Sequence, residues 1–140
     1  VKIINSQIID TDFTKSNLNN STFNRINLGY NINFNQVDMI STKILNSNIS
    51  KTTFEKANLT NALIQESKFS EVSFNKSKLN QSVVNNTDFS KSYFTDTEFT
   101  QSSILKKSGK NNFINTSSEL LPIKRTENER DNSKNQEISR

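Results

Sequence analysis

The residues best placed to do chemistry in this chain are two carboxylate pairs, Asp10 with Asp12 and Asp96 with Glu98. On extended backbone, residues two apart face the same side, so each pair could divide acid and base roles. That division requires an apolar pocket or a like charge to shift one carboxyl from its ordinary pKa. No such pocket is evident around either pair, and both read as exposed charge. Histidine and cysteine are absent, which removes the commonest general base, the thiolate nucleophile and sulfur metal ligands. No glycine-rich phosphate loop, HExxH or GxSxG motif occurs. We therefore assign no catalytic, metal or cofactor-binding residue and expect no cofactor; enzymatic activity would have to come from sequence outside these residues.

The cations are equally sparse in meaning. Lys51, Glu71 and Lys91 recur every twenty residues with alternating sign, which reads as a surface charge ladder. Lys56 and Lys76 recur with like sign, a mildly unfavourable stacking that reads as solvated surface charge, with a small anion-attracting spot as the alternative. A sequence pI near 9.4 raises nucleic acid as a partner. Residues 1–104, however, carry 10 Lys/Arg against 9 Asp/Glu, and residues 105–140 carry 8 against 5. No dense basic stripe with interleaved aromatics exists, which argues against nucleic acid. No run of 18 apolar residues or signal peptide is visible.

What positions these side chains is a period of five. The apolar residues run Ile3, Ile8, Phe13, Leu18, Phe23, Leu28, slip by one residue, and resume at Phe34, Met39, Ile44, Ile49, Phe54, Leu59, Ile64, Phe69, Phe74, Leu79, Val84, Phe89, Phe94, Phe99 and Ile104. Such a period fits neither a helix nor a flat strand, and it makes the chain a repeat protein. Two residues before each centre stands a compact side chain: Ser16, Ser21, Ala57, Ala62, Val72 and their equivalents are all Ser, Thr, Ala, Val or Ile. Alternation turns both positions inward. Buried Ser and Thr hydroxyls can bond local backbone, so they need leave no donor unmet.

The pattern small–polar–(Leu/Phe)–x–x, as in Ala57-Asn58-Leu59-Thr60-Asn61 and Ser16-Asn17-Leu18-Asn19-Asn20, resembles the pentapeptide-repeat family over residues 1 to about 105. The resemblance implies an all-β, right-handed, four-sided (quadrilateral) parallel β-helix with twenty residues per coil. The chain departs from the family in preferring Ser and Thr to Ala at the small position. The residues support the coil independently, because like stacks on like at intervals of twenty. One column holds Phe13, Phe34, Phe54, Phe74 and Phe94; the next holds Leu18, Met39, Leu59, Leu79 and Phe99. A third is Ile44, Ile64, Val84 and Ile104, and the fourth is Leu28, Ile49, Phe69 and Phe89. About five coils at strand spacing make a rod about 25 Å long.

Of two glycines, Gly29 lies in the slip at 29–31 and is expected to permit its backbone excursion, while Gly109 follows the last repeat. The β-helix is expected over 1–105. Residues 106–123, with Phe113, Ile114, Leu120, Leu121 and Ile123, form a candidate C-terminal cap, and 124–140 a charged linker or tail. Ile3 is already in register, so Val1 is expected to be an internal cut through a longer protein.

On the wall centred on Ile44, Ile64, Val84 and Ile104, the outward residues Leu45, Leu63, Val83 and Leu105 are unusually apolar. They are the candidate partner-binding stripe, unless the tail packs there. The function expected is a non-enzymatic scaffold for an unidentified protein partner. The resemblance implies a setting within a larger bacterial protein, such as a secreted effector beside a catalytic domain, and leaves bacterial cytoplasm and secretion both open. It also implies an alternative, since certain family members mimic duplex DNA and inhibit DNA gyrase, giving quinolone resistance. Mimicry needs a strongly acidic wall, and a net charge of +1 over residues 1–104 opposes it.

Overall fold

A strand that buries alternate residues must put its backbone groups into ladders with neighbours, and here every neighbour is the same wall one coil away. In the computed structural model, which describes residues 1–106 and 111–114 and the side chains of 1–103, all pairings are parallel. The first wall is a six-stranded sheet, with Lys2–Ile4, Thr22–Asn24, Lys43–Leu45, Leu63–Gln65, Val83–Thr87 and Ser103–Lys106 stacked in chain order. The second stacks Gln7–Ile8, Asn27–Leu28, Asn48–Ser50 and Lys68–Ser70, and is extended by a bridge from Lys68 to Asp88. The third and fourth are held largely by single bridges, such as Thr53 to Ser73 and Asn58 to Lys78. No helix forms among the described residues. The chain thus winds as a four-sided parallel β-helix, right-handed as right-twisted strands require of parallel crossovers.

The interior is a set of ladders. Phe13, Phe34, Phe54, Phe74 and Phe94 stack face to face, with centroid separations of 4.7, 4.7, 5.1 and 5.0 Å and interplanar angles of 11° or less. Phe69 and Phe89 form a second stack, and Phe89 meets Phe74 and Phe94 edge-on. Leu59, Leu79, Ile44 and Ile64 are buried with Phe34, Phe54, Phe74 and Phe94. Phe13, Ile3 and Ile8 are only partly buried, because a coil covers them on one side alone. The Ile104 side chain, and the proposed cap and tail beyond 114, lie outside the described residues. Asn111–Ile114 pairs in parallel with Ser92–Thr95, so the backbone of Phe113 falls in register with Phe94 and continues the third wall.

The compact positions behave as the sequence suggests. Thr52 Oγ1 donates to the Ser50 carbonyl at 2.9 Å, and Ser47 Oγ donates to the Leu45 carbonyl at 2.7 Å. Some hydroxyls also bridge coils: Ser47 Oγ accepts from the Ile26 N–H, and Ser67 Oγ accepts from the Ser47 N–H. Ser21 Oγ is buried without a partner.

Two features were not anticipated. The residue two past each apolar centre, or three past Leu28 at the slip (Asn31), is left-handed at every corner from Asn5 to Gln101, with φ between 46° and 61°, and not one of these corner residues is glycine. Asn and Asp tolerate this region best, and they fill eight of the twenty corners; Lys, Gln, Glu, Arg and Ser fill the rest. No β-branched or aromatic residue occurs there, as their crowding at Cβ demands. The second feature concerns Gly29. A Cβ at this residue would stand 2.9 Å from Ile9 Cγ2. A side chain here would have to displace the exposed Ile9 side chain of the coil below, and the slip leaves Tyr30 57% exposed.

Two outcomes follow for stability. Phe54→Ala should cost about 3–5 kcal/mol in urea unfolding followed by circular dichroism, and Phe13→Ala markedly less. Gln81→Ile should cost about 1–2 kcal/mol by the same measurement, whereas Gln81→Gly should be near neutral.

Candidate protein-binding wall

With the core fixed by the period, chemistry is left to the outward positions before and after each centre. On the first wall the pairing registers define them directly. One outward column is Lys2, Thr22, Lys43, Leu63, Val83 and Ser103, each the Cα partner of the next. The other is Ile4, Asn24, Leu45, Gln65 and Asn85. Leu63 and Val83 are therefore immediate neighbours one strand apart. Leu45 stands in the second column, across the buried Ile44, and its rung partners are Asn24 and Gln65 rather than Leu63. The candidate stripe is thus two columns, because outward positions flank each inward centre on both sides. Val83 is 39% exposed, while Leu45 and Leu63 are half-buried. The Leu105 side chain lies outside the described residues.

The flanks of this wall are polar. Arg25, Asn46, Glu66 and Asn86 occupy its corner on one side, and Asn20, Ser41, Asn61, Gln81 and Gln101 the corner on the other. Arg25 lies against Leu45, whose carbonyl accepts its N–H at 3.0 Å. The Glu66 carboxylate accepts a bond from Asn86 Nδ2 at 2.9 Å.

The candidate carboxylates are placed differently from what acid–base catalysis needs. Asp12 accepts from both the hydroxyl and the N–H of Thr14. These bonds, the hydroxyl's first, hold its carboxyl below the ordinary value, the opposite of a general acid. Asp10 accepts from Asn31 Nδ2 at 2.9 Å, and Glu98 accepts from Asn80 Nδ2 at 2.8 Å. Asp10 and Asp96 are corner residues. The lysines of the two cation columns are corner residues too. Their backbones link coil to coil, Lys51 N–H to the Ser70 carbonyl and Lys56 N–H to the Asn75 carbonyl. Among the described residues no group of three His, Cys, Asp or Glu is arranged to hold a metal, and no helix is long and apolar enough to cross a membrane.

Sequence reasoning overlooked the asparagines that build the third and fourth walls. Asn17, Asn33 and Asn58 each accept the N–H two residues on. Asn19, Asn35, Asn75 and Asn80 accept the N–H of Ile40, Glu55, Thr95 and Thr100 in the next coil, at 2.7 to 2.9 Å. On these walls the corner also closes with a turn bond, as from the Ala57 N–H to the Phe54 carbonyl at 3.1 Å. The sequence signal is weak, because Asn and Asp also flank the apolar centres of the first two walls, at Asn24, Asn27, Asn48, Asn85 and Asp88.

Residues 67–104 match the family model described as pentapeptide repeats, in eight copies. Over these residues the chain is built of pentapeptide repeats. Pentapeptide-repeat proteins are typically non-catalytic structural repeat proteins. A trypsin-treated variant of QnrB1, a plasmid-mediated fluoroquinolone resistance protein, is 14% identical with TM-score 0.45, covering 97% of this chain and 87% of its own. HetL, involved in heterocyst differentiation regulation in the cyanobacterium Nostoc sp. strain PCC 7120, is 9% identical with TM-score 0.31, covering 86% and 84%. A pentapeptide repeat protein of the Arabidopsis thaliana thylakoid lumen is 12% identical with TM-score 0.33, covering 91% and 73%. No curated protein matches. At these identities and superpositions the neighbours say nothing of what this chain binds.

The amide rungs are testable. Asn35→Ala strips acceptors from the Glu55 N–H and the Thr53 hydroxyl, and should lower stability by about 1–2 kcal/mol in denaturant titration, with the β-sheet dichroism retained.

Proposed function

We propose that this pentapeptide-repeat chain is a non-enzymatic scaffold that holds a protein partner against its first wall. The observation that carries the reading is the in-register pair Leu63 and Val83, with Leu45 beside it, on an exterior whose other columns are mainly polar. Apolar side chains on outward positions contribute nothing to a core already filled from within, and together they form a patch suited to contact. A rod fixed by stacked rings presents that patch preorganised, so little ordering entropy opposes association. The proposal extends to the setting the resemblance implies, a recognition module within a larger bacterial protein such as a secreted effector. Mimicry of DNA is not favoured: the corners mix Lys15, Lys56 and Lys76 with Asp96, and Lys51 and Lys91 with Glu71.

A photo-crosslinking residue at position 83, compared with one at Asn48 on the second wall, tests the site. Position 83 should give discrete protein adducts that fall at least tenfold with Leu63→Lys, at unchanged melting temperature. Equal adducts from both walls would refute the assignment.

A further inference from the structure

The outward column of the first wall is divided lengthwise by chemistry. Its lower half presents Lys2 and Lys43, with the apolar Ile4 and Leu45 on the same two strands and Arg25 at the adjoining corner; its upper half presents Leu63 and Val83, with no cation among the described side chains. Glu66 is the one acid among the described residues of this wall, and its carboxylate is engaged by Asn86. The corner on the opposite flank carries no charge, since it is Asn20, Ser41, Asn61, Gln81 and Gln101. No other wall separates its charges so. The second carries Lys68 beneath Asp88 and the fourth Asp38, Lys78 and Glu98 in one column, and the third mixes Asp12, Glu55 and its corner lysines.

From this division we infer that the partner is an acidic amphipathic helix lying along the rod, its apolar stripe on Leu45, Leu63 and Val83 and its acidic end over Lys2, Arg25 and Lys43. The inference rests on the reading of the first wall as a docking surface and specifies what docks. Strand spacing of about 4.8 Å is close to the helix pitch of about 5.4 Å, so successive turns can follow successive rungs. From Lys2 to Val83 is four rungs, about 19 Å, which about thirteen helical residues span. The cations select the sign of the partner and steer its approach, and the apolar pair holds it.

The test uses the full chain and two synthetic fluorescein-labelled helical peptides of about fourteen residues. Both carry leucines spaced three and four apart; one bears glutamates in its polar half, the other lysines at the same places. Anisotropy titration should show the acidic peptide binding at least tenfold more tightly, with the preference shrinking as salt rises. Leu63→Lys with Val83→Lys should abolish its binding. Lys43→Glu should weaken it at least tenfold while circular dichroism stays unchanged. Equal binding of both peptides, lost in the double variant, would overturn the acidic partner and leave the docking wall standing. Binding of neither peptide, or binding indifferent to the double variant, would overturn both. Self-association in sedimentation that the double variant removes would assign the wall to a second copy and overturn the inference too.

Discussion

A phenyl ring lies flat on the ring of the next coil at a separation that parallel strand pairing also prefers. That coincidence is the constraint on which the molecule depends. Centroid spacings of 4.7 to 5.1 Å let the core and the backbone ladders share one repeat, so neither is strained to satisfy the other. The tube is narrow in consequence. Where Phe54 projects inward, its companion two residues earlier must be small, and Thr52 meets that need with its hydroxyl returned to the Ser50 carbonyl. Among the described residues a polar interior wall is thereby made without orphaned hydroxyls, Ser21 excepted.

Much of this was legible in the order of residues. The period of five, the four columns and the burial of Phe34, Phe54 and Phe74 all follow from alternation and from like stacking on like. The corners were not legible by the same means, since left-handed backbone is usually signalled by glycine and only two glycines exist. The informative sign there was negative, the exclusion of branched residues from positions such as Lys56, Asn61 and Gln81. The different build of adjacent walls was missed because the apolar period is blind to it. It is written in the side-chain carbonyls of Asn35, Asn75 and Asn80, which extend the backbone ladders where regular strands stop. Leu45 and Leu63 fall in different columns because Leu45 follows its inward centre Ile44 whereas Leu63 precedes Ile64, a distinction the order of residues already carries.

Exterior and interior of such a rod are almost independent. A change at Lys43 or Val83 meets solvent and two rung partners, so the outer columns are free to diverge while the ladders within stay fixed. Function in this architecture is carried by what is written lengthwise along a wall. On the first wall that text confines the cations, among the described side chains, to the lower coils.

The slip at Gly29–Asn31 shows the coil absorbing one surplus residue as a bulge, with Asn31 restored to the corner above Asp10 and tied to it. A surplus of five has no such remedy. Inserting or deleting one pentapeptide between Lys43 and Leu63 would keep the apolar period, yet would interrupt the phenylalanine ladder and turn all later coils by a quarter revolution. Cations and leucines would then look out in perpendicular directions. Length variation among such chains should accordingly come in whole circuits of twenty residues wherever a composite face has to survive.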